Sequence, residues 1–268
     1  MEPRYKLVAI DLDGTLLDDQ KNIPEKNIEA IRRAVSRGVH VMLATGRPYR
    51  AAQWVFEKAG IREGLILSQA GSLVSRYPGE TTVCGSRHDP AFLRELAQFC
   101  EERGLFFHCM LGSDYYYLRE DPMADLIAFY LGYRGTVVSL EELIRLNTRK
   151  ATIVMPPEQT DGVLAEVRQR FGGRAELAKG DPIVIDITPP GVNKGTALLK
   201  AAAILGVRQE EVMAIGDSEN DLPMLRAAGL GVCMENGVQS AKDAAGAVVP
   251  SNNDAGVAYA IETFVLLS

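Results

Sequence analysis

The 268-residue sequence has few of the residues and patterns that mark several protein classes. Its four cysteines, at positions 84, 100, 109 and 233, form no Cys-x-x-Cys pair, and their spacing predicts neither a zinc site nor a disulfide framework. No stretch approaches the roughly 20 apolar residues that a membrane span needs. The N-terminal residues lack the apolar core and cleavage site of a signal peptide. We therefore expect a cytoplasmic protein with reduced thiols and no membrane partner.

Basic residues are also fewer than acidic residues. Lysine and arginine total 29 and aspartate and glutamate total 35, which gives a net charge of −6. Nonspecific nucleic-acid binding requires a basic surface, so we expect no nucleic-acid partner. A small anionic substrate remains compatible with this charge, because a local site can be positive on an acidic protein.

Both ends of the chain alternate short apolar runs with helical segments. Predicted strands cover 7–10, 39–43, 65–67, 212–215, 230–234 and 247–249, and predicted helices cover 24–37, 49–59, 194–205 and 221–228. Continuous apolar strands that alternate with helices favour an α/β fold with a parallel sheet and right-handed crossovers.

The middle of the chain has a different composition. Eleven of the 18 aromatic residues lie between His88 and Asp186. Predicted helices (90–103, 124–131 and 161–171) here mix with predicted strands (115–118, 151–155 and 183–187). We predict an inserted α+β domain over residues 84–186, with the α/β core formed by residues 1–83 and 187–268.

Acidic and polar residues follow three predicted core strands. Asp11 and Asp13 follow the first, Thr45 the second, and Asp217, Asn220 and Asp221 follow the strand at 212–215. The carboxyl ends of strands in open α/β sheets face the ligand crevice, so these residues are expected to converge. Carboxylates held close together need a cation between them, and oxygen ligands without histidine or cysteine favour Mg²⁺ over zinc.

The same edge of the sheet offers groups that bind phosphate. Thr45 supplies a hydroxyl, and Gly46 permits close approach of the backbone. Lys194 opens a predicted helix, where a cation and free backbone N–H groups coincide, and Asn220 adds an amide. A carboxylate that attacks a phosphoryl group held in this way would form an aspartyl-phosphate.

Four motifs in this order resemble those of the haloacid dehalogenase superfamily, and the insert resembles the α+β cap of its Cof-type phosphatases. The motifs are Asp11-Leu12-Asp13-Gly14-Thr15, Ala44-Thr45-Gly46-Arg47, Asn193-Lys194-Gly195 and Gly216-Asp217-Ser218-Glu219-Asn220-Asp221. The resemblance covers essentially the whole chain. It implies a Rossmann-like core and a Mg²⁺-dependent phosphatase that acts on a small phosphorylated metabolite, with a sugar phosphate as the expected substrate.

The resemblance also implies a role for each residue. Asp11 would be the nucleophile, and Asp13 the general acid and then the general base. The metal would be held by Asp11, Asp217 and the main-chain carbonyl of Asp13. The phosphate would be held by Thr45, Lys194, Asn220 and the backbone N–H groups of Leu12 and Gly46, while Asp221 would orient Lys194 or a metal-bound water. The family often carries Asn-Gly-Ala after the third core strand, whereas this chain has Gln69-Ala70-Gly71.

Simpler interpretations stay open for individual residues. Asp217, Ser218 or Asp221 could cap the following helix, Lys194 could lie on the surface, and Arg47 could contact substrate or pair with an acid. The three histidines are expected to be structural or exposed, and the aromatic runs at 106–107 and 115–117 to pack in a sheet. Arg119, Arg134 and Arg149 are expected to be solvated.

Two other functions are compatible with the motifs. A phosphomutase of the phosphomannomutase type would share the nucleophile, but it needs several arginines in the cap to bind a second phosphate. The second alternative is a protein that binds a phosphate ligand without turnover.

Overall fold

The computed structural model describes residues 3–267 and contains two β-sheets with helices packed against them. Its strands are β1 (Leu7–Ile10), β2 (His40–Ala44), β3 (Gly64–Ser68), β4 (Leu73–Tyr77), β5 (Thr81–Gly85), β6 (Phe106–Leu111), β7 (Asp114–Tyr117), β8 (Thr136–Val137), β9 (Lys150–Val154), β10 (Glu176–Asp181), β11 (Val184–Thr188), β12 (Val212–Gly216), β13 (Leu230–Met234) and β14 (Ala247–Val249). Its α-helices are α1 (Glu25–Ser36), α2 (Trp54–Ala59), α3 (Pro90–Glu102), α4 (Pro122–Leu131), α5 (Leu140–Leu146), α6 (Pro157–Phe171), α7 (Lys194–Ile204), α8 (Leu222–Ala227), α9 (Gln239–Ala244) and α10 (Gly256–Ile261). Residues 1, 2 and 268, which belong to the predicted core segments, lie outside the described residues.

The first sheet has eight strands in the order β14-β13-β12-β1-β2-β3-β4-β5. The six strands from β14 to β3 are parallel, which confirms the predicted α/β class with a parallel core. The prediction missed β4 and β5, which extend the sheet in antiparallel pairing. A tight turn at Gln69–Gly71 joins β3 directly to β4, so these two strands form a hairpin without a crossover helix.

Strand β1 lies in the middle of this sheet and is buried on both faces. Val8 and Ile10 pack into one apolar cluster, together with α1 and α10, whereas Leu7 and Ala9 pack into a second cluster, together with α7. This explains why β1 is a continuous apolar run. The central position of β1 holds the residues that follow Ile10 between the ends of β2 and β12.

The second sheet has six strands in the order β10-β11-β9-β6-β7-β8 and is antiparallel except for the β7–β8 pair. Its strands all come from the middle of the chain. The first sheet extends to Gly85, slightly into the predicted insert of 84–186, and the second sheet extends to Thr188, slightly beyond it. The division into two domains at those boundaries stays a prediction.

Several helices differ in detail from the predicted segments. The segment predicted as one helix over 49–59 is a 3₁₀ turn (Tyr49–Ala51) followed by α2. The segment predicted over 221–228 is likewise a 3₁₀ turn (Glu219–Asp221) followed by α8, because Pro223 fits the first turn of a helix. Within residues 3–267, none of the helices combines the length and apolar character that crossing a bilayer requires.

Candidate active site

The carboxyl ends of β1, β2 and β12 form the bottom of a crevice between the two sheets. Asp11 follows β1 and is 5% exposed, and Lys194, at the start of α7, is 1% exposed. The Lys194 ammonium donates to Asp11 Oδ1 and to Asp221 Oδ1, both at 2.6 Å. Lys194 is therefore a buried cation between two carboxylates, which excludes the simpler interpretation of a surface lysine.

Asp221 has a second set of partners besides Lys194. Its Oδ2 accepts hydrogen bonds from the backbone N–H groups of Asp217 and Ser218, both at 3.0 Å. These contacts fix the loop after β12 and the start of the following 3₁₀ turn. Ser218 is thus the N-cap of this turn, and Asp221 completes its capping box and also orients Lys194.

Asp217 lies next to the turn that follows β1. Its Oδ1 accepts a hydrogen bond from the Thr15 hydroxyl at 2.6 Å. Gly14 has a φ of +78°, and a Cβ on it would lie 2.6 Å from Asp217 Oδ2. Only glycine fits here without displacing the Asp217 carboxylate. Thr15 is a contributor to the site to which the sequence reasoning assigned no role, although it stands inside the first motif.

Carboxylate oxygens of Asp11, Asp217 and Asp221 all lie within 4.8 Å of one another. Burial raises the pKa of Asp11 well above its usual value; Lys194 lowers this pKa, but Asp221 and Asp217 raise it further. Burial, with the charge of Asp221, raises the pKa of Asp217 to about 7. The site therefore holds more negative charge than Lys194 compensates.

This donor set fits a hard divalent cation. The oxygens of Asp221 already accept from Lys194 and from two backbone N–H groups, which leaves Asp11 and Asp217 to bind the ion. Carboxylate oxygens with no soft ligand match the preference of Mg²⁺.

Asp13 does not join this group of carboxylates. Strand β1 ends at Ile10, so Asp11 and Asp13 both lie beyond the strand. The Asp13 carboxylate instead accepts from Arg47 Nε at 2.8 Å and Nη2 at 2.6 Å, and from Lys21 Nζ at 3.0 Å. Burial acts to raise the pKa of Asp13, but the hydrogen bonds and positive charges of Arg47 and Lys21 together outweigh it, and the pKa is lowered. Of the two alternatives for Arg47, the structure shows the pairing with an acid.

The predicted phosphate-binding residues lie around the same crevice. Thr45, Gly46 and Asn220 line it, whereas the Leu12 side chain is buried in the core, so only the Leu12 backbone can reach a ligand. The Thr45 hydroxyl accepts from the Arg47 backbone N–H at 3.1 Å, and the Asn220 Oδ1 accepts from the Ser218 hydroxyl at 2.8 Å. The amide nitrogen of Asn220 lies beside Gly180 on β10, where a Cβ would be only 2.9 Å from it.

A cavity of about 150 Å³ lies above these residues, between the two sheets. The second sheet contributes polar residues that the sequence reasoning did not select, among them Lys150, Thr152 and Asp186. Lys150 pairs with Asp186 at 2.6 Å and donates to the carbonyl of Gly46 at 3.0 Å. The alternation within β9 and β11 could have indicated that these side chains share a face, but not which face is turned to the core.

His108 also lines the cavity, where it is 1% exposed. His88 is buried and its Nε2 contacts the Ile187 carbonyl at 3.1 Å, while His40 is exposed. His40 is thus exposed and His88 is buried in the structure, as predicted, whereas His108 faces the crevice.

The predicted sheet packing of the aromatic runs is confirmed, since Phe106, Phe107, Tyr115 and Tyr117 are all buried. Arg119 and Arg134 are exposed, as expected, and pair with acidic neighbours, whereas Arg149 is half-buried and donates to the Ser86 carbonyl at 3.2 Å.

The Gln69-Ala70-Gly71 segment connects the two sheets. Gln69 and Ala70 both have positive φ, at 54° and 56°, and Gln69 is buried. The Gln69 amide donates to the Gly112 carbonyl, in the turn between β6 and β7, at 2.7 Å. The Gln69 amide therefore contacts the second sheet.

Comparisons with known proteins agree with this architecture. A family model described as haloacid dehalogenase-like hydrolase matches residues 8–261. The 5-amino-6-(5-phospho-D-ribitylamino)uracil phosphatase YcsE of Bacillus subtilis is 30% identical over 97% of this chain and 96% of its own. A haloacid dehalogenase-like hydrolase of Bacteroides thetaiotaomicron has a TM-score of 0.84 and 28% identity, over 96% of this chain and 98% of its own. The subclass IIB sugar phosphatase BT4131 has a TM-score of 0.84 and 25% identity, over 97% of this chain and 98% of its own.

The family match spans nearly the whole chain, and the relatives are similar over both sheets. The chain therefore belongs to the haloacid dehalogenase-like hydrolases, in their Cof-type branch, and is a phosphoric monoester hydrolase.

Proposed function

We propose that this phosphatase hydrolyses a small phosphorylated metabolite, a sugar phosphate in the first instance, through a phosphorylated Asp11 and with Mg²⁺ as cofactor. One observation carries the proposal. The Asp11 carboxylate, the buried Lys194 ammonium and the Asp217 carboxylate meet below a cavity of about 150 Å³. A nucleophile, a fixed positive charge and a cation site are thus within reach of one bound phosphate.

The phosphoryl oxygens would be bound by Lys194, the Thr45 hydroxyl and the Asn220 amide, with the backbone N–H groups of Leu12 and Gly46. Asp11 attacks the phosphorus, the bond to the leaving-group oxygen breaks, and the phosphoryl group is transferred to the carboxylate. Water then attacks the phosphorus and releases inorganic phosphate and free Asp11. When bound between Asp11 and Asp217, Mg²⁺ supplies positive charge that offsets the charge of the phosphoryl oxygens.

Asp13 is proposed to donate a proton to the leaving-group oxygen and then to accept one from the attacking water. Its carboxylate is paired with Arg47 and Lys21, and its pKa is lowered. We therefore propose that one oxygen of Asp13 turns to the leaving group when the substrate enters, while the other keeps its hydrogen bond from Arg47. Arg47 serves as a supporting residue that stays paired with Asp13 throughout.

The size of the cavity favours a small leaving group. Similar proteins include a sugar phosphatase and a phosphatase of a ribityl-bearing uracil derivative, and both named substrates carry hydroxyl groups. A phosphomutase would need free cap arginines for a second phosphate, but Arg119 and Arg134 are paired with acids. All four cysteines are free thiols, which is the usual state in a reducing compartment, and we propose that the enzyme acts in the cytoplasm.

The experiment is phosphate release from an aryl phosphate and a panel of sugar phosphates, with Mg²⁺ and with EDTA. The wild-type enzyme should release phosphate only with Mg²⁺. Asp11→Asn should abolish release, because an amide cannot act as the nucleophile. Asp161→Asn removes a carboxylate that is exposed on α6 and pairs with Lys179, and it should retain wild-type rates. Turnover by Asp11→Asn, or equal rates in EDTA, would contradict the proposal.

A further inference from the structure

We propose that four residues of the second sheet form a subsite for an uncharged, hydroxyl-bearing leaving group of about monosaccharide size. This leaving-group subsite consists of His108 on β6, Lys150 and Thr152 on β9, and Asp186 on β11. The inference rests on the proposed function, since it describes the part of the substrate beyond the phosphate.

The register of the strands brings these residues onto one face. His108 is the cross-strand partner of Thr152, and Thr152 is the partner of Asp186. Lys150 stands two residues before Thr152, so it points to the same side of β9. All four line the cavity that also contains Asp11. The subsite is thus a continuous polar strip that faces the phosphate site.

Two buried polar atoms of this strip have neither a hydrogen bond nor an ion pair among residues 3–267. They are the Thr152 hydroxyl oxygen and His108 Nδ1, in side chains that are 2% and 1% exposed. Buried polar groups are almost always hydrogen-bonded, and one that is not costs stability unless a ligand or water supplies the bond. Both residues line the cavity, so a substrate that enters it can supply the missing partners.

The strip carries no net charge. Lys150 and Asp186 are 3% and 4% exposed and form an ion pair at 2.6 Å. The ammonium has three N–H donors. One faces Asp186, one is donated to the Gly46 carbonyl at 3.0 Å, and the third is left for a ligand. Burial and the charge of Lys150 lower the pKa of His108 to about 3, so the imidazole is neutral and offers one donor and one acceptor.

A second anionic group would find no free cation here. Among the described residues that line the cavity, Arg47 and Lys21 are bound to Asp13, and Lys150 is bound to Asp186. The rest of the wall includes the apolar side chains of Met110, Ile127, Leu131 and Ile183, which suit the C–H surface of a sugar or polyol. The subsite therefore selects hydroxyl groups over a second phosphate or carboxylate.

The experiment compares kcat/KM for three substrates: a hexose monophosphate, the corresponding hexose bisphosphate, and phenyl phosphate. Wild-type enzyme should prefer the monophosphate to the bisphosphate by at least about tenfold, the cost of a poorly matched polar group. Thr152→Val keeps the shape of the side chain and removes the hydroxyl. It should lower kcat/KM about tenfold more for the hexose monophosphate than for phenyl phosphate, which has no hydroxyl group on its ring.

His108→Phe keeps a ring and removes both nitrogens, so it is a second test if Thr152→Val folds poorly. Ser75→Ala is the matched control, because Ser75 on β4 is also fully buried with an unpaired hydroxyl but lies outside the crevice. Ser75→Ala should leave the ratio of kcat/KM for the hexose monophosphate to kcat/KM for phenyl phosphate unchanged. Folded variants that lose equal activity on hexose and phenyl phosphates, or a wild-type preference for the bisphosphate, would overturn the subsite. Wild-type enzyme that releases phosphate from none of the three would instead overturn the proposed function.

Discussion

At the scale of single residues, the active site is defined by an excess of negative charge. Three aspartates meet around one lysine, and two of them have a raised pKa. Such a group is costly to ionise in the folded protein unless a cation binds. Under the proposed function, the same charges that destabilise the metal-free site would give it affinity for Mg²⁺.

The stability of the metal-free enzyme should therefore fall as the pH rises. The pKa of Asp217 moves from 3.8 to about 7, and that of Asp11 moves in the same direction. Between pH 3.8 and about 7 the folded protein binds more protons than the unfolded chain, so the free energy of unfolding decreases with rising pH. Mg²⁺ should reverse this, since it binds the ionised carboxylates of the folded state.

Thermal unfolding with EDTA and with Mg²⁺, from about pH 5 to about pH 8, measures this effect. The gap between the two melting curves should widen as the pH rises. Asp217→Asn, which cannot ionise, should reduce the difference in melting temperature between the Mg²⁺ and EDTA samples at the upper end of the pH range. A gap that is independent of pH in the wild-type enzyme would contradict the account of these carboxylates.

The residues proposed to bind the phosphate could be predicted from the sequence, but those proposed to contact the leaving group could not. Asp11 and Asp217 stand in motifs at strand ends, so their convergence follows from the topology of a parallel sheet, and Lys194 was added through its motif at the start of a helix. Lys150 and Asp186 stand inside strands of the second sheet and belong to no motif. Their partnership depends on strand register and on how the second sheet faces the first, which local sequence does not encode.

At the scale of elements, the start of α7 positions the only lysine that bonds Asp11 among residues 3–267. Asn193 caps this helix, its side chain accepting from the Thr196 backbone N–H at 3.0 Å. The Thr196 hydroxyl accepts in return from the Asn193 backbone N–H at 3.2 Å. This capping box fixes the first helical residue, Lys194, next to Asp11.

Lys194→Met should destabilise the protein and abolish turnover. The substitution leaves Asp11 and Asp221 as buried carboxylates without their cation, which costs about 3–5 kcal/mol. Lys200→Met, on the exposed side of the same helix, is the matched control and should be close to neutral. Urea unfolding of the metal-free proteins measures the free energy of unfolding of both variants. If the two variants lose equal free energy of unfolding, the buried ion pair is not important for stability.

Elements were predictable where the hydrophobic pattern was continuous. The parallel strands β1, β12 and β13 are uninterrupted apolar runs and were found. Strands β4 and β10 carry arginine or lysine beside small residues, so their patterns are weak. The break before α2 was missed because the segment from Tyr49 is helical in composition, although its first turn is 3₁₀.

At the scale of the whole molecule, polar contacts on one side of the crevice hold the two sheets together. Ser113, in the turn after β6, donates to Glu80 Oε2 at 2.7 Å, and Gln69 donates to the neighbouring Gly112 carbonyl. The guanidinium of Arg50 lies 4.7 Å from the centre of the Tyr133 ring. These contacts are few and partly exposed, as expected for an interface that opens to admit substrate.

Ser113→Ala should weaken this closed arrangement without unfolding the protein. The loss of one hydrogen bond should raise KM by about 2- to 10-fold. Amide hydrogen exchange should become faster in the turn between β6 and β7. Ser36→Ala, at the exposed end of α1, serves as the control and should change neither quantity. Unchanged KM and unchanged exchange in Ser113→Ala would show that the contact does not support closure.

The central claim is that Asp11 carries the phosphoryl group during turnover. Rapid acid quench of the enzyme during turnover of a sugar phosphate with Mg²⁺, followed by peptide mass spectrometry, tests it directly. The account predicts a phosphoryl group on the peptide that contains Asp11, removed by hydroxylamine and absent from Asp11→Asn. Steady turnover without a phosphorylated Asp11, or a phosphoryl group on another residue, would contradict it.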